Sequence, residues 1–118
     1  MLKKILRLNE REVKKVLIQK KPFFSYGIVL NSGKNTLWHL RFWVVISAKS
    51  VENNVNRVFF RRLFYDTVAP TSLLEMPFDL VFVVKKDTKL DKRNPECVKQ
   101  FQNDVKFLIK KWQETVKK

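Results

Sequence analysis

Arg57, Arg61 and Arg62 are the residues whose type and spacing most suggest chemistry. Arg57 and Arg61 are four apart, so on a helix they stand one turn above each other. Like charges at that spacing repel. A helix tolerates the repulsion on a solvated face and gains from it when a polyanion lies across that face. The chemistry on offer is therefore the holding of phosphate. A surface helix with three solvated arginines is the plain alternative. Covalent chemistry lacks its materials. His39 and Cys97 are the sole histidine and cysteine, too few for a zinc site. The 11 acidic residues are scattered singly, where metal-assisted hydrolysis wants them clustered. With Gly27 and Gly33 the only glycines, there is no glycine-rich phosphate loop.

The element carrying the arginines must be a helix following an apolar strand. Asn53 or Asn54 is suited to cap its start, and the pattern runs to about Val68. At about 100° per residue, Phe59, Phe60, Leu63 and Phe64 fall on one broad arc. Arg57, Arg61, Arg62 and Tyr65 fall on the opposite one. The apolar arc should face a core and the basic arc should face out.

The other elements follow in order. Asn9 to Lys20 reads as a first helix, with Asn9 and Glu12 in capping-box spacing and Pro22 forcing a stop. Val13, Val16 and Leu17 share one of its faces. Phe23 to Asn31 alternates as a strand, and residues 31–35 have the composition of a hairpin loop. Thr36 to Lys49 reads as a long second strand that includes His39. Its second half is apolar on both sides, which predicts a central strand covered by helices. Arg41 interrupts it and marks an exposed or functional face. Residues 67–77 form the longest irregular connection. Phe78 to Lys86 is a third strand, followed by polar loop to Arg93. Asn94-Pro95-Glu96 opens the last helix with a cap, a proline at the first position and a carboxylate at the positive end. Val98, Phe101, Val105, Leu108 and Trp112 then recur at helical spacing, the strongest such stripe in the chain, with Lys99, Lys106 and Lys110 on another face.

The 118 residues suffice for one domain with a small core. An apolar content of 45% with ten Phe argues against disorder. There are 25 basic against 11 acidic residues, a formal charge of +14. Residues 1–22 hold eight basic and two acidic residues, and residues 85–118 hold eleven and five. A compact chain so basic implies an anionic partner, with nucleic acid ahead of an anionic membrane. No stretch approaches the ~18 apolar residues of a membrane span. Residues 1–15 lack the apolar run of a secretory signal. A lone cysteine cannot form an intramolecular disulfide and fits a reducing cytoplasm. The expectation is an α+β two-layer sandwich in the order α-β-β-α-β-α, one further short strand being possible, with an antiparallel-dominated sheet.

The stretch from Ser47 to Asp66 resembles the signature helix of the bacterial ribonuclease P protein component. That family carries small and basic residues at a strand end, then a helix with Arg-Asn-Arg-x-x-Lys-Arg-Leu. Ser47, Ala48 and Lys49 precede Arg57-Val58-Phe59-Phe60-Arg61-Arg62-Leu63. Lys49, Arg57, Arg61, Arg62 and Leu63 match in type. Val58 stands for the family Asn, Phe59 for the second Arg and Tyr65 for a later Arg. Phe78–Lys86 is similar to the family's last long strand, and the order of elements agrees over roughly residues 5–112.

The resemblance implies a single RNA-binding domain over residues 1–118, in a fold class shared with several ribosomal proteins and with a left-handed βαβ crossover. It implies a protein subunit of ribonuclease P, inert alone and monomeric within a cytoplasmic ribonucleoprotein. That particle hydrolyses phosphodiester bonds in precursor tRNA with magnesium ions bound mainly by the catalytic RNA. Lys49, Arg57, Arg61, Arg62 and Tyr65 would contact RNA. Val13, Leu17 and Asn31 fall where the family forms a cleft for the single-stranded 5′ leader. Val13 and Leu17 would be core, a cleft wall or both. A ribosomal or assembly RNA-binding protein is the competing reading, and a basic membrane-surface module is the weakest.

Overall fold

The computed structural model describes residues 8, 11, 13–14, 22–25, 27–35, 39–46, 54–73, 76–85 and 90–116. Four strands, β1 (Pro22–Phe24), β2 (Ile28–Lys34), β3 (Arg41–Val45) and β4 (Phe78–Val84), form one sheet in the order β1-β2-β4-β3. β1 pairs antiparallel with β2 and β2 with β4, whereas β3 runs parallel to β4. The parallel pair requires a crossover. The arginine helix, Asn54–Val68, lies within it, followed by a short 3-10 helix, Ala69–Leu73, inside the connection expected to be irregular. The last helix, Pro95–Val116, completes an α+β layer arrangement. At the other end of the chain, Arg11, Val13 and Lys14 are helical.

Strand alternation sorts side chains onto two faces. One face presents Ile28, Leu30, Phe42, Val44, Leu80, Phe82 and Val84 to the two helices, all buried. Phe64 meets Phe82 edge-on at 4.9 Å, and Phe60 meets Phe101 of the last helix at 5.2 Å. Phe101, Val105, Leu108 and Trp112 are buried, so the sequence stripe is the helix face that builds the core. Asn94 caps that helix as expected, its Oδ1 accepting from the N–H groups of Glu96 (3.0 Å) and Cys97 (3.3 Å).

Four expectations change. Residues 31–34 are strand, with Ser32 and Gly33 buried, and the hairpin bend lies before Ile28. There the Ser25 N–H donates to the Ile28 carbonyl at 3.0 Å, and the Ser25 hydroxyl accepts from the Ile28 N–H at 3.2 Å. Loop-like composition loses to seven paired positions against β4. Secondly, the central strands are β2 and β4, and β3 is an edge. β3 is apolar on both sides because both sheet faces are covered. Along its outer edge, the Leu8 N–H donates to the Phe42 carbonyl at 3.1 Å. Thirdly, His39 precedes β3 in a bend, with Nδ1 3.1 Å from the Leu40 carbonyl oxygen. Lastly, Arg41 marks no open functional face. Register sets it opposite Asp79, and its Nε and Nη2 donate to the two carboxylate oxygens at 2.8 and 2.9 Å. Asn35 adds a 2.8 Å bond from Nδ2. The proposed caps at Asn9 and Asn53, with Tyr26, Trp38 and Lys86, lie outside the described residues.

Candidate nucleic-acid interface

The arginine helix is pinned from inside by Phe60, Phe64, Tyr65 and Val68, all buried. Arg61 and Arg62 are exposed and Arg57 is half-buried, its Nη2 3.5 Å from Asn54 Oδ1. Tyr65 departs from its expected place. Arg57, Arg61 and Tyr65 form one stripe at spacing four, but only the first two reach the surface, and Tyr65 is 6% exposed. Packing covers the last position of this stripe, leaves Arg61 exposed and leaves Arg57 half-buried. Tyr65 packs edge-on against Phe64 at 5.1 Å and belongs to the core. Phe59 departs in the other sense. It was expected inward and is 36% exposed, while Leu63 is half-buried. Lys49 and Leu17 lie outside the described residues.

Tertiary structure adds two cations that the sequence reading treated as loop. The Lys92 N–H donates to Asn56 Oδ1 at 3.3 Å, which fastens the entry to the last helix onto the first turns of the arginine helix. The Arg93 N–H donates to Asp91 Oδ1 at 2.9 Å, and the Asn94 N–H to the Asp91 carbonyl at 3.1 Å, so the loop is held from within. Lys92 and Arg93 are exposed beside the arginines. Both helices begin at this corner, and the positive ends of their dipoles add to the side-chain charge. No spacing rule finds such a patch, because its halves are about 35 residues apart in the chain. A solvated loop rich in Lys and Arg was the only available signal.

The opposite sheet face carries the other predicted group. Asn31, Val81 and Trp43 stand in one cross-strand row, with Val29, Val83 and Val45 in the next. Leu8 and Val13 pack onto Val81, flanked by Trp43, Val45 and Val83. Val13 is 7% exposed and fills this layer. Asn31 and Trp43 are half-buried at its border. Trp43 is thus an aromatic of this face, and Phe24, 56% exposed and in register with Val29, is another. Strand alternation made both roles available, and the sequence reading assigned neither.

Among the described residues, no group of three His, Cys, Asp or Glu could hold a metal ion, and no helix is long and apolar enough to cross a membrane. One carboxylate is perturbed. Burial pushes Asp104 above the usual carboxylate range, opposed by hydrogen bonds from the Gln100 side chain and the Gly27 backbone and by the charge of Lys85. The Lys85 Nζ donates to the Ser25 carbonyl at 2.8 Å, so this cluster ties the β1–β2 bend to the last helix, away from the basic corner.

No protein-family model matches the chain, and no curated protein sequence does either. Solved structures do. The RNase P protein of Staphylococcus aureus superposes with a TM-score of 0.74 at 16% identity, covering 89% of this chain and 93% of that one. A mutant of the same protein with defective mRNA degradation activity gives 0.75 at 16% identity, over 93% and 90% of the two chains. The RNase P protein from Thermotoga maritima gives 0.69 at 17% identity, over 89% and 96%. With a mixed four-stranded sheet, a parallel pair spanned by the arginine helix and agreement over about nine-tenths of each chain, this chain has the fold of the bacterial RNase P protein.

Proposed function

We propose that this chain is the protein subunit of ribonuclease P. Its basic corner, centred on Arg57, Arg61 and Arg62 with Lys92 and Arg93, binds the catalytic RNA. The other sheet face, bordered by Asn31 and Trp43, steadies the single-stranded 5′ leader of precursor tRNA. The supporting observation is the RNase P protein fold over nine-tenths of the chain, with arginines on the crossover helix. On this reading no chemical step is assigned to a protein-held ion. Hydrolysis belongs to the RNA and the magnesium it holds. The protein contributes charge, which screens repulsion between two RNA molecules, and an apolar, partly aromatic face on which an unpaired base can rest.

The test is cleavage of precursor tRNA by a bacterial-type catalytic RNA at limiting magnesium. The protein alone should cut nothing, and adding it should lower the magnesium required. The salt dependence of log K should steepen by about 0.7–0.9 for each phosphate neutralised. Arg57→Ala and Arg61→Ala should each flatten that slope with stability changed by no more than about 0.5 kcal/mol. Absence of stimulation, alongside tight binding to ribosomal RNA, would move the assignment to a ribosomal RNA-binding protein.

A further inference from the structure

The outer face of the arginine helix carries an apolar groove that the phosphate-binding role does not use. Val55, Val58, Phe59 and Leu63 floor a cavity of about 510 Å³, with Arg62, Asp66 and Lys92 at its rim. Val55 is 56% exposed and Phe59 36%. A second cavity of about 380 Å³, lined by Asn56, Asp91 and Arg93, adjoins the first and shares Val55 and Lys92 with it. The two differ in character, the first being mostly apolar and the second lined by polar and charged groups.

Phe59 is held in place from below. Its ring meets Phe60 edge-on at 5.2 Å, and Phe60 meets Phe101 at 5.2 Å, so three rings lead from the core to the floor of the groove. A fixed aromatic edge flanked by cations is a place for a flat, π-faced group attached to an anion. The carboxylates at the two cavities do not cancel that charge. Arg62, Lys92 and Arg93 stand against Asp66 and Asp91 in the two linings, so the net charge stays positive.

Resting on the RNA-binding reading above, we infer that this groove takes one unpaired nucleobase of a bound RNA. The base lies against Phe59 between Val58 and Leu63, and the flanking phosphate lies toward Lys92 and Arg93 in the polar cavity. Charge complementarity selects RNA as the occupant. A protein segment or a second copy of this basic chain would have to bring acidic residues to the same rim.

The probe is an oligouridylate of about eight nucleotides, compared with an abasic sugar–phosphate strand of equal length. Wild-type protein should bind the base-bearing strand roughly tenfold more tightly, the scale of stacking one base. Phe59→Leu keeps an apolar contact with Phe60 and removes the ring. It should abolish most of that preference and leave affinity for the abasic strand unchanged. On binding the base-bearing strand, the methyl resonances of Val58 and Leu63 should shift by ring current. A preference unchanged by Phe59→Leu, or methyl groups that do not respond, would overturn the inference. So would self-association of the wild type that Phe59→Leu abolishes, since a second copy would then be the occupant. Equal binding of the two strands by wild type, with Arg57→Ala and Arg61→Ala still weakened, sinks this inference alone. Failure to bind either strand, with precursor tRNA cleavage still stimulated, sinks this inference alone; the same failure without that stimulation removes the RNA-binding reading with it.

Discussion

The two faces of the sheet come from the same strands by simple alternation, yet they are finished differently. Toward the helices, Leu30, Phe42, Leu80 and Phe82 are fully buried, and aromatic rings from three elements interlock over them. Toward the other side, Val81 is buried under Leu8 and Val13, but Trp43, Val45, Val83, Val29 and Asn31 remain half-buried. The first face holds the molecule together. The second combines a small satellite core with a surface that still has area to offer. The Arg41–Asp79 ion pair closes the end of the face.

Large-to-small substitutions should separate the faces. Phe60→Ala removes a ring that is fully buried, and should cost about 3–5 kcal/mol. Trp43→Ala removes a larger side chain, yet should cost roughly half as much, because only part of it leaves water on folding. Chemical denaturation of both variants checks this, and equal losses would mean the second face is as much core as the first. Next in size, Asp79→Ala should destabilise by about 3 kcal/mol, because it removes the carboxylate that neutralises the half-buried Arg41 guanidinium. Asp79→Leu combined with Arg41→Met should recover most of that loss. If the double substitution is no better than the single one, the pair supplies something beyond mutual neutralisation.

The smallest effect concerns the attachment of the β1–β2 bend to the helix-covered face. The Asp104 carboxyl is raised above its ordinary value of 3.8, so the fold favours its protonated form. Its stabilising contribution is full below that value and is lost as pH rises through the folded-state pKa. Asp104→Asn keeps an oxygen to accept from Gln100 and Gly27 and has no charge to lose. The melting temperature of the variant minus that of wild type should therefore grow from pH 4 upward and level off. A difference constant across that range would show that burial does not perturb the group.

Much of this was readable in one dimension where the signal is local and periodic. The last helix, with its Asn94 cap and its stripe from Val98 to Trp112, depends on interactions within a few residues, and the structure keeps it. The arginine helix and β4 are as legible, because their apolar periodicity spans several turns or several rungs of a ladder. An α+β class with a mostly antiparallel sheet follows from that order.

Tertiary structure alone decided the rest, since it depends on what covers each residue. Residues 31–34 are strand because β4 offers seven partners, although their own composition favours a turn. β3 became an edge because strand order is a matter of pairing, and two-sided apolarity reports cover, not position. Tyr65 went inside while Arg61, one turn earlier on the same stripe, stayed outside, because the sheet and last helix cover only part of the arginine helix. Lys92 and Arg93 joined the basic corner through a hydrogen bond to Asn56, a contact between residues 36 apart. A helical period fixes the direction in which a side chain leaves its helix. Whether another element stands in that direction is set by the packing of the whole chain.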